Sequence, residues 1–365
     1  MSASHYDGSL WARFCDELKR MGDLVLEPQS PKDDFNRAEG YRFLTRLLRD
    51  GLMRNLEFFD PQFPVLYDIN SAFVSIGGNP DNDYLLAFID GKFSYRLTGR
   101  RNSVHYLGIA TKAGGFEVDG TLAPGGFLDS NQMKVGPDGS FAITLSAQPP
   151  SNGHDWLQMS EKSFFLIIRQ TFLDRSKERA AEFRIECLGG RRYPAPLDPA
   201  KFPGQLMGAL KYIQGNIDVG IKWTREFQTR PNQFFPHDQS VYQQAGGDPT
   251  IWYAQGYWDL ADDEALFIDV PEVACDFWNF QINNYWQETL GLNLAFVHWN
   301  KATATYNPDG SARLVIAHAD PGLPNWMPTL GHRLGTMCFR FISAPAPISP
   351  AARLARRTAS GWSIP

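Results

Sequence analysis

The chain has 365 residues, 43% of them hydrophobic and 21% charged, with a formal net charge of −5. That length exceeds one ordinary domain of about 100–200 residues, so two domains or one large double domain are expected. The 35 basic residues are scattered, which argues against the continuous positive face that a nucleic-acid backbone requires, and no segment approaches the roughly 18 uninterrupted apolar residues of a membrane span.

The N-terminal stretch lacks the basic start and apolar run of a signal peptide, and Leu10, Trp11, Phe14, Leu18 and Met21 fall on one helical face. A second helix is expected after Asp33 or Asp34, either of which can cap it, with Tyr41, Leu44, Leu47, Leu48, Leu52 and Leu56 at three-and-four spacing. Short apolar or alternating runs follow, YLLAFIDGKFSYRL, VHYLGIAT, FAITLS and FFLIIRQTF among them, punctuated by Gly, Pro, Asn and Asp. Leu206, Ala209, Leu210, Ile213 and Ile217 then mark a connecting helix, after which the strand-like runs resume with ALFIDV and ARLVIAH. The four cysteines, Cys15, Cys187, Cys275 and Cys338, are dispersed without a C-x-x-C pair, as expected of a reducing, cytoplasmic setting.

The two strand-rich halves echo each other. AFID ending at Asp90, PDGS at 137–140, Trp156 and Arg169 in the first half match LFID ending at Asp269, PDGS at 308–311, Trp326 and Arg340 in the second. The successive spacings are 47, 19 and 13 against 39, 18 and 14. Asp-Gly at the tip of each PDGS suits a tight hairpin turn. The reading is a mainly β protein, with two related antiparallel β-sandwich, jelly-roll-like domains and N-terminal and connecting helices. N-terminal helices at 1–60 pack on a first β domain at 61–190, a connecting helix occupies 191–230, a second β domain 231–345 and a tail 346–365. The Pro-, Ala- and Arg-rich tail, with Trp362 near its end, is read as a mobile end or an arm docking on a partner subunit, which makes a homo-oligomer an open option.

From about Tyr257 to Phe341, the pieces GYWDLADDEALFIDV, FWNFQINNYW, NPDGS, VIAHADPGLPNW and GHRLGTMCFR together resemble a bacterial family known only as domain of unknown function 1214. The first half, with GGNPDNDYLLAFIDG and FFLIIRQTFLDR, resembles the region that commonly precedes that domain. The resemblance implies a β-rich, jelly-roll-like architecture and no activity.

Function must then be argued from side chains. His318 and Asp320, one residue apart on an extended strand, point to one face, so His318 can act as acid or base with Asp320 as its orienter and His332 as a further polar group. Equally, Asp320 before a proline can simply bond the following backbone in a turn. Aligned on the PDGS turns, HADPGLPNW faces AQPPSNGHDW, so the prolines and Trp326 are shared features of a corner. The histidines have no twin. His298, His318, His332 and Asp320 lack the spacing of a preformed zinc site, and neither metal nor cofactor is predicted.

In FWNFQINNYWQE, the residues Phe277, Asn279, Gln281 and Asn283 share one strand face. Amides there beside Tyr285, Trp286 and Glu288 could read a ligand's hydroxyls or could be solvated. Arg169 could clamp a carboxylate or form an ion pair with Asp174 or Glu178. Two functions follow. One is a cofactor-independent lyase, isomerase or hydrolase using His318, Asp320 and His332 on a small apolar or aromatic metabolite, with Tyr285, Trp286, Asn283, Glu288, Trp326 and Arg169 as substrate contacts. The other is a non-catalytic β-sandwich that binds a carbohydrate, polyol or other small ligand.

Overall fold

A computed structural model describes residues 6–69, 77–116, 118–151, 153–236, 238–291, 297–358 and 361–363. Helix α1 spans Ser9–Met21 and α2 spans Asp34–Leu52, whose N-cap Asp33 accepts the Asn36 amide at 2.9 Å as the sequence predicts. The first β unit contains β1 (Tyr67–Asp68), β2 (Asn82–Phe88), β3 (Ser94–Arg100), β4 (Tyr106–Ala113), β5 (Ala123–Asp129), β6 (Ser140–Ser146), β7 (Asp155–Gln158), β8 (Ser163–Thr171) and β9 (Glu182–Leu188). After α3 (Phe202–Gln228) come β10 (Gln233–Phe235), the short helix α4 (Gln239–Gln244), β11 (Ile251–Asp259) and β12 (Glu264–Val270). The second unit continues with β13 (Phe277–Ile282), β14 (His298–Asn300), β15 (Ala312–Ala317), β16 (Trp326–Pro328), β17 (Leu334–Ile342), β18 (Ala351–Thr358) and β19 (Gly361–Ser363).

Each unit is a two-sheet sandwich. In the first, the sheet β1-β2-β8-β4-β5 faces β7-β6-β3-β9; in the second, β10-β11-β17-β13-β14 faces β16-β15-β12-β18-β19. Adding nine to every strand number of the first unit reproduces the second, with β19 appended, so the duplication is complete in topology. The pairing is antiparallel except for β6 with β7 and β15 with β16, which run parallel and make those two sheets mixed.

Several repeated residues hold equivalent places. Asp138 and Asp309 each accept the amide of the serine two residues on, at 3.1 and 3.0 Å, and Gly139 and Gly310 supply the positive φ of the turn, 81° and 79°. These turns lead into β6 and β15 rather than joining two full strands of a hairpin, since the arm before the second is one bridge, Tyr306 to Ala312. Trp156 donates to the Ser146 carbonyl at 3.1 Å and Trp326 to that of Ala317 at 3.0 Å, each closing the end of the strand just before it. The AFID and LFID match is out of step. Asp90 follows β2, whereas Asp269 lies inside β12, the counterpart of β3.

Strand alternation explains how the units meet. Leu166 and Ile168 of β8 point into the first sandwich core, and Met337, Phe339 and Phe341 of β17 into the second. Their neighbours Arg169 and Arg340 therefore lie on the opposite faces, where Tyr106, Ile251, Phe277 and Ile342 form a small apolar cluster between the units. Both faces of these central sheets are buried.

Three expectations are corrected. The N-terminal helices pack mainly on α3 and the second unit, where Phe43 and Leu47 join Tyr285 and Trp286, while residues after α2, Arg54 and Phe58 among them, reach the first. On α1, Trp11 is 63% exposed because the buried stripe is narrower than its apolar pattern. The tail is not a free arm: β18 pairs with β12 in the second unit's own sheet, and Trp362 of β19 packs against Phe267, with ring centroids 6.2 Å apart. Pro347 and Pro350 lie before the strand begins, so they cost the ladder no hydrogen bond.

Gly40 marks the tightest contact between α2 and the second unit. A β-carbon there would lie 2.5 Å from the Trp286 ring. Alanine gains about 1 kcal/mol of helix propensity, but overpacking costs about 1–3 kcal/mol, so Gly40→Ala is expected to lower stability. Urea unfolding checks this, and an unchanged or raised midpoint would mean that the Trp286 ring can retreat.

Candidate functional site

Two segments of the same form, GGNP at 77–80 and GGDP at 246–249, precede β2 and β11. In each, the seventh residue after the first glycine is a tyrosine, Tyr84 or Tyr253, which the ladder pairs directly with Arg169 or Arg340. The guanidinium carbon of Arg169 lies 5.7 Å from the centre of the Tyr84 ring, and that of Arg340 lies 6.0 Å from Tyr253. Each arginine is held by the other unit's loop. Arg169 donates to Asp248 Oδ1 at 2.5 Å and to the Gly246 carbonyl at 2.7 Å, while Arg340 donates to the carbonyls of Gly77 and Gly78.

The next contacts repeat the exchange. Gln281 donates to the Gly78 carbonyl at 2.6 Å, and Lys112 donates to that of Gly247 at 3.1 Å. Burial pulls the Lys112 ammonium down to about 8 against the attraction of Asp248. For Arg169, the burial that disfavours a cation is outweighed by Asp248, and the group is held more firmly protonated than usual.

Between these pairs lies a cavity of about 180 Å³. Tyr84, Tyr253, Tyr212, Tyr242, Trp223 and Phe165 give it aromatic walls, and Arg54, Arg169 and Arg340 reach it. Among the described residues lining it there is no carboxylate, histidine or cysteine. Burial pushes the hydroxyls of Tyr212, Tyr242 and Tyr253 well above their ordinary range, so they remain protonated. A larger groove of about 680 Å³ between α1 and α3 is lined by charges that pair with one another, such as Arg225 with Glu27 and Lys222 with Glu226.

Of the residues singled out from sequence, Arg169 reaches the cavity, with Asp248 as its partner rather than Asp174 or Glu178. The others lie elsewhere. His318 uses both ring nitrogens at the end of β15, one with Thr329 Oγ1 at 2.8 Å and one with the Leu260 carbonyl at 3.2 Å. Asp320 is exposed and accepts the Gly322 amide at 2.8 Å, the turn that its following proline favours. His332 packs edge-on against Phe35 of α2, with ring centroids 4.7 Å apart, and its Nδ1 has no partner. No hydrogen bond joins any two of these three side chains.

The aromatic and amide run is interior structure. Tyr285 donates to the Gln29 carbonyl, Trp286 to that of Asn36, and Glu288 pairs with Arg46 at 2.6 Å, all under the N-terminal helices. Burial pushes the Glu288 carboxyl up against the opposing pull of Arg46. Asn283 donates to Thr336 and accepts from Gln281, and Asn279 reaches Asn79 and Asp81. These amides neither face solvent nor line the cavity; Asn279 and Gln281 bind the loop of the first unit, and Asn283 supports Gln281. His298 joins the same network through Asp81 Oδ1 at 3.1 Å. The indole N–H of Trp326 is engaged at its strand end, like that of its twin Trp156.

A model of the family described as "Protein of unknown function (DUF1214)" matches residues 81–171 and 266–346. A crystal structure of an uncharacterised protein from Burkholderia cenocepacia is 42% identical, with a TM-score of 0.92 over 96% of this chain and 97% of that one. The chain belongs to the DUF1214 family. A Vibrio parahaemolyticus protein of known structure is 11% identical over 93% of this chain and 98% of that one, with a TM-score of 0.49. Comparison with curated proteins finds no match. The two matched regions of the DUF1214 profile end close to Arg169 and Arg340, one in each unit. Among the described residues, no helix is long and apolar enough to cross a membrane.

Sequence reasoning missed Asp248, Tyr84 and Tyr253, and used Arg340 only as a repeat marker. The signal was the repeated GG-x-P with a tyrosine at fixed spacing. Replacing Asp248 with alanine leaves the buried Arg169 cation without its partner, which is expected to cost about 3–5 kcal/mol in urea unfolding. A loss below about 1 kcal/mol would show that another group neutralises Arg169. His332 generates a second prediction. Burial, with Arg42 nearby, lowers its imidazole to about 4. The unfolded chain then binds more protons, so this group's contribution is complete above its ordinary value of 6.5 and fades as pH falls toward 4, by on the order of 3 kcal/mol. His332→Gln is expected to flatten the stability–pH curve in that window, and a curve of unchanged slope would remove His332 as its cause.

Proposed function

We propose that the chain is a binding protein for a small organic molecule and that its site is the cavity between the two β units. The observation that carries this reading is Arg340, which turns its guanidinium to a ring-lined cavity at a seam although it is only 5% exposed and has no ion pair among the described residues. Ligand sites form preferentially at such interfaces, with mostly apolar walls and a few convergent polar groups. The size is adequate for a small guest, since an apolar cavity of about 150 Å³ can hold a benzene ring.

Binding is favoured over turnover because acid–base catalysis needs a group that titrates near neutrality beside the substrate. The described cavity residues offer arginines and protonated tyrosines. The hydrogen bonds of His318 and the surface turn of Asp320 lend the acid–base alternative no support. A cytoplasmic setting fits the four unpaired thiols.

Ala245, at the end of α4, lines the cavity, and a larger side chain there would fill it. Saturation-transfer NMR with benzoate, phenylacetate, benzamide and benzyl alcohol at millimolar concentration is expected to detect at least one binder with the native chain. Ala245→Phe is expected to lose that signal while keeping the native circular dichroism. Binding by none of the four, or binding unaffected by Ala245→Phe, would overturn the proposal.

A further inference from the structure

We infer that the cavity takes a small monocarboxylate with a flat apolar body, its carboxylate seated on Arg340 as the Asp248 carboxylate is seated on Arg169. This rests on the cavity being a ligand site. The two halves present the same arginine, the same facing tyrosine and the same glycine loop, yet only one is complete. At Arg169 the loop supplies Asp248, which bonds at 2.5 Å. The equivalent position in the other loop is Asn79, whose carbonyl oxygen receives Asn279 at 2.5 Å and whose amide reaches Asn82 at 3.2 Å, so it gives Arg340 nothing.

The opposite strand reinforces the difference. Gly108 faces Arg169 in the ladder and Asn279 faces Arg340. A carbon added at Gly108 would lie 2.8 Å from Asp248 Oδ2, so the glycine leaves the room in which that carboxylate sits. In the second half Asn279 fills that place and binds Asn79. Arg340 is left with neutral acceptors: Gln281 Oε1 at 2.6 Å and the carbonyls of Gly77 and Gly78. Its guanidinium has five N–H groups, and those contacts draw on one Nη1 hydrogen and on Nη2, leaving Nε–H and the second Nη1 hydrogen on different sides of the group, each able to meet one carboxylate oxygen.

Charge selects a monoanion. A buried cation without a counterion is costly, and one carboxylate on Arg340 would cancel it. Arg169 already has Asp248, and Arg54 stacks 4.2 Å above the Tyr212 ring, whose hydroxyl donates to Asp50. The tyrosines, Trp223 and Phe165 suit a planar body, and one oxygen of its carboxylate would take a hydrogen that Arg340 has left over, as Asp248 Oδ1 takes one from Arg169.

Isothermal titration of the full chain with benzoate, benzamide and inorganic phosphate separates these possibilities. Benzoate is expected to bind at least tenfold more tightly than benzamide, and phosphate not measurably. Asn79→Asp, which builds into the second loop the carboxylate that the first already meets, is expected to weaken benzoate at least tenfold without lowering the unfolding midpoint. Arg340→Gln is expected to weaken it by a similar factor. Benzamide binding as well as benzoate, phosphate binding more tightly than either, or an undiminished benzoate affinity in folded Arg340→Gln would overturn the inference while leaving a small-molecule cavity in place. The benzoate–benzamide comparison uses the native chain and stands even where a variant does not fold. Failure of every organic probe, by contrast, would remove the cavity as a ligand site altogether.

Discussion

Two buried arginines, each held by the other half's loop, are the constraint on which the molecule depends. Arg169 and Arg340 both reach across to a glycine loop of the other unit, and Gln281 alone adds an acceptor to Arg340 from its own sandwich. A buried guanidinium without acceptors is far more costly than an exposed one, so separating the halves would strand both cations. The amides of β13 and Lys112 of β4 add neutral and charged donors to the same exchange. The seam is thus specified by polar geometry, with only a small apolar cluster behind it.

That constraint explains why the central sheets are buried on both faces. A sandwich normally leaves its outer faces to solvent or to a single covering element. Here the outer faces of β8 and β17 meet across the seam, and α3 runs beside them with α2 above. The N-terminal helices close over the turn that carries Tyr285, Trp286 and Glu288, so a segment rich in groups able to bind a ligand is consumed in holding the helices down.

Architecture was largely legible in the sequence, because period-two alternation and turn residues are local signals. The capping of α2 by Asp33 and the duplication of PDGS, Trp156/Trp326 and Arg169/Arg340 were all readable. AFID and LFID misled because apolar strand ends before an aspartate recur in any β protein, and nothing local says which strand they belong to. The site was less legible. Arg169 was singled out, but its partner lies 79 residues away, and a guanidinium's counterion is set by the fold rather than by spacing. His318, Asp320 and His332 stood out for having no twin, yet their hydrogen bonds and packing are those of a strand end, a turn and a helix contact. Absence of a repeat partner did not lead to the cavity. The asymmetry beside the cavity is Asn79 against Asp248 within an otherwise matched pair of loops.

The covalent joining of the two β units has a consequence of its own. Two identical subunits meeting on a two-fold axis would have to carry the same residue at both loop positions, so both arginines would be neutralised or both left bare. In a single chain the halves are free to differ, and one Asp248 and one Asn79 give a nearly symmetric chamber a polarity, with a carboxylate on one arginine and neutral acceptors on the other. A molecule entering it would meet a defined head and foot, which a symmetric dimer of the same fold could not provide.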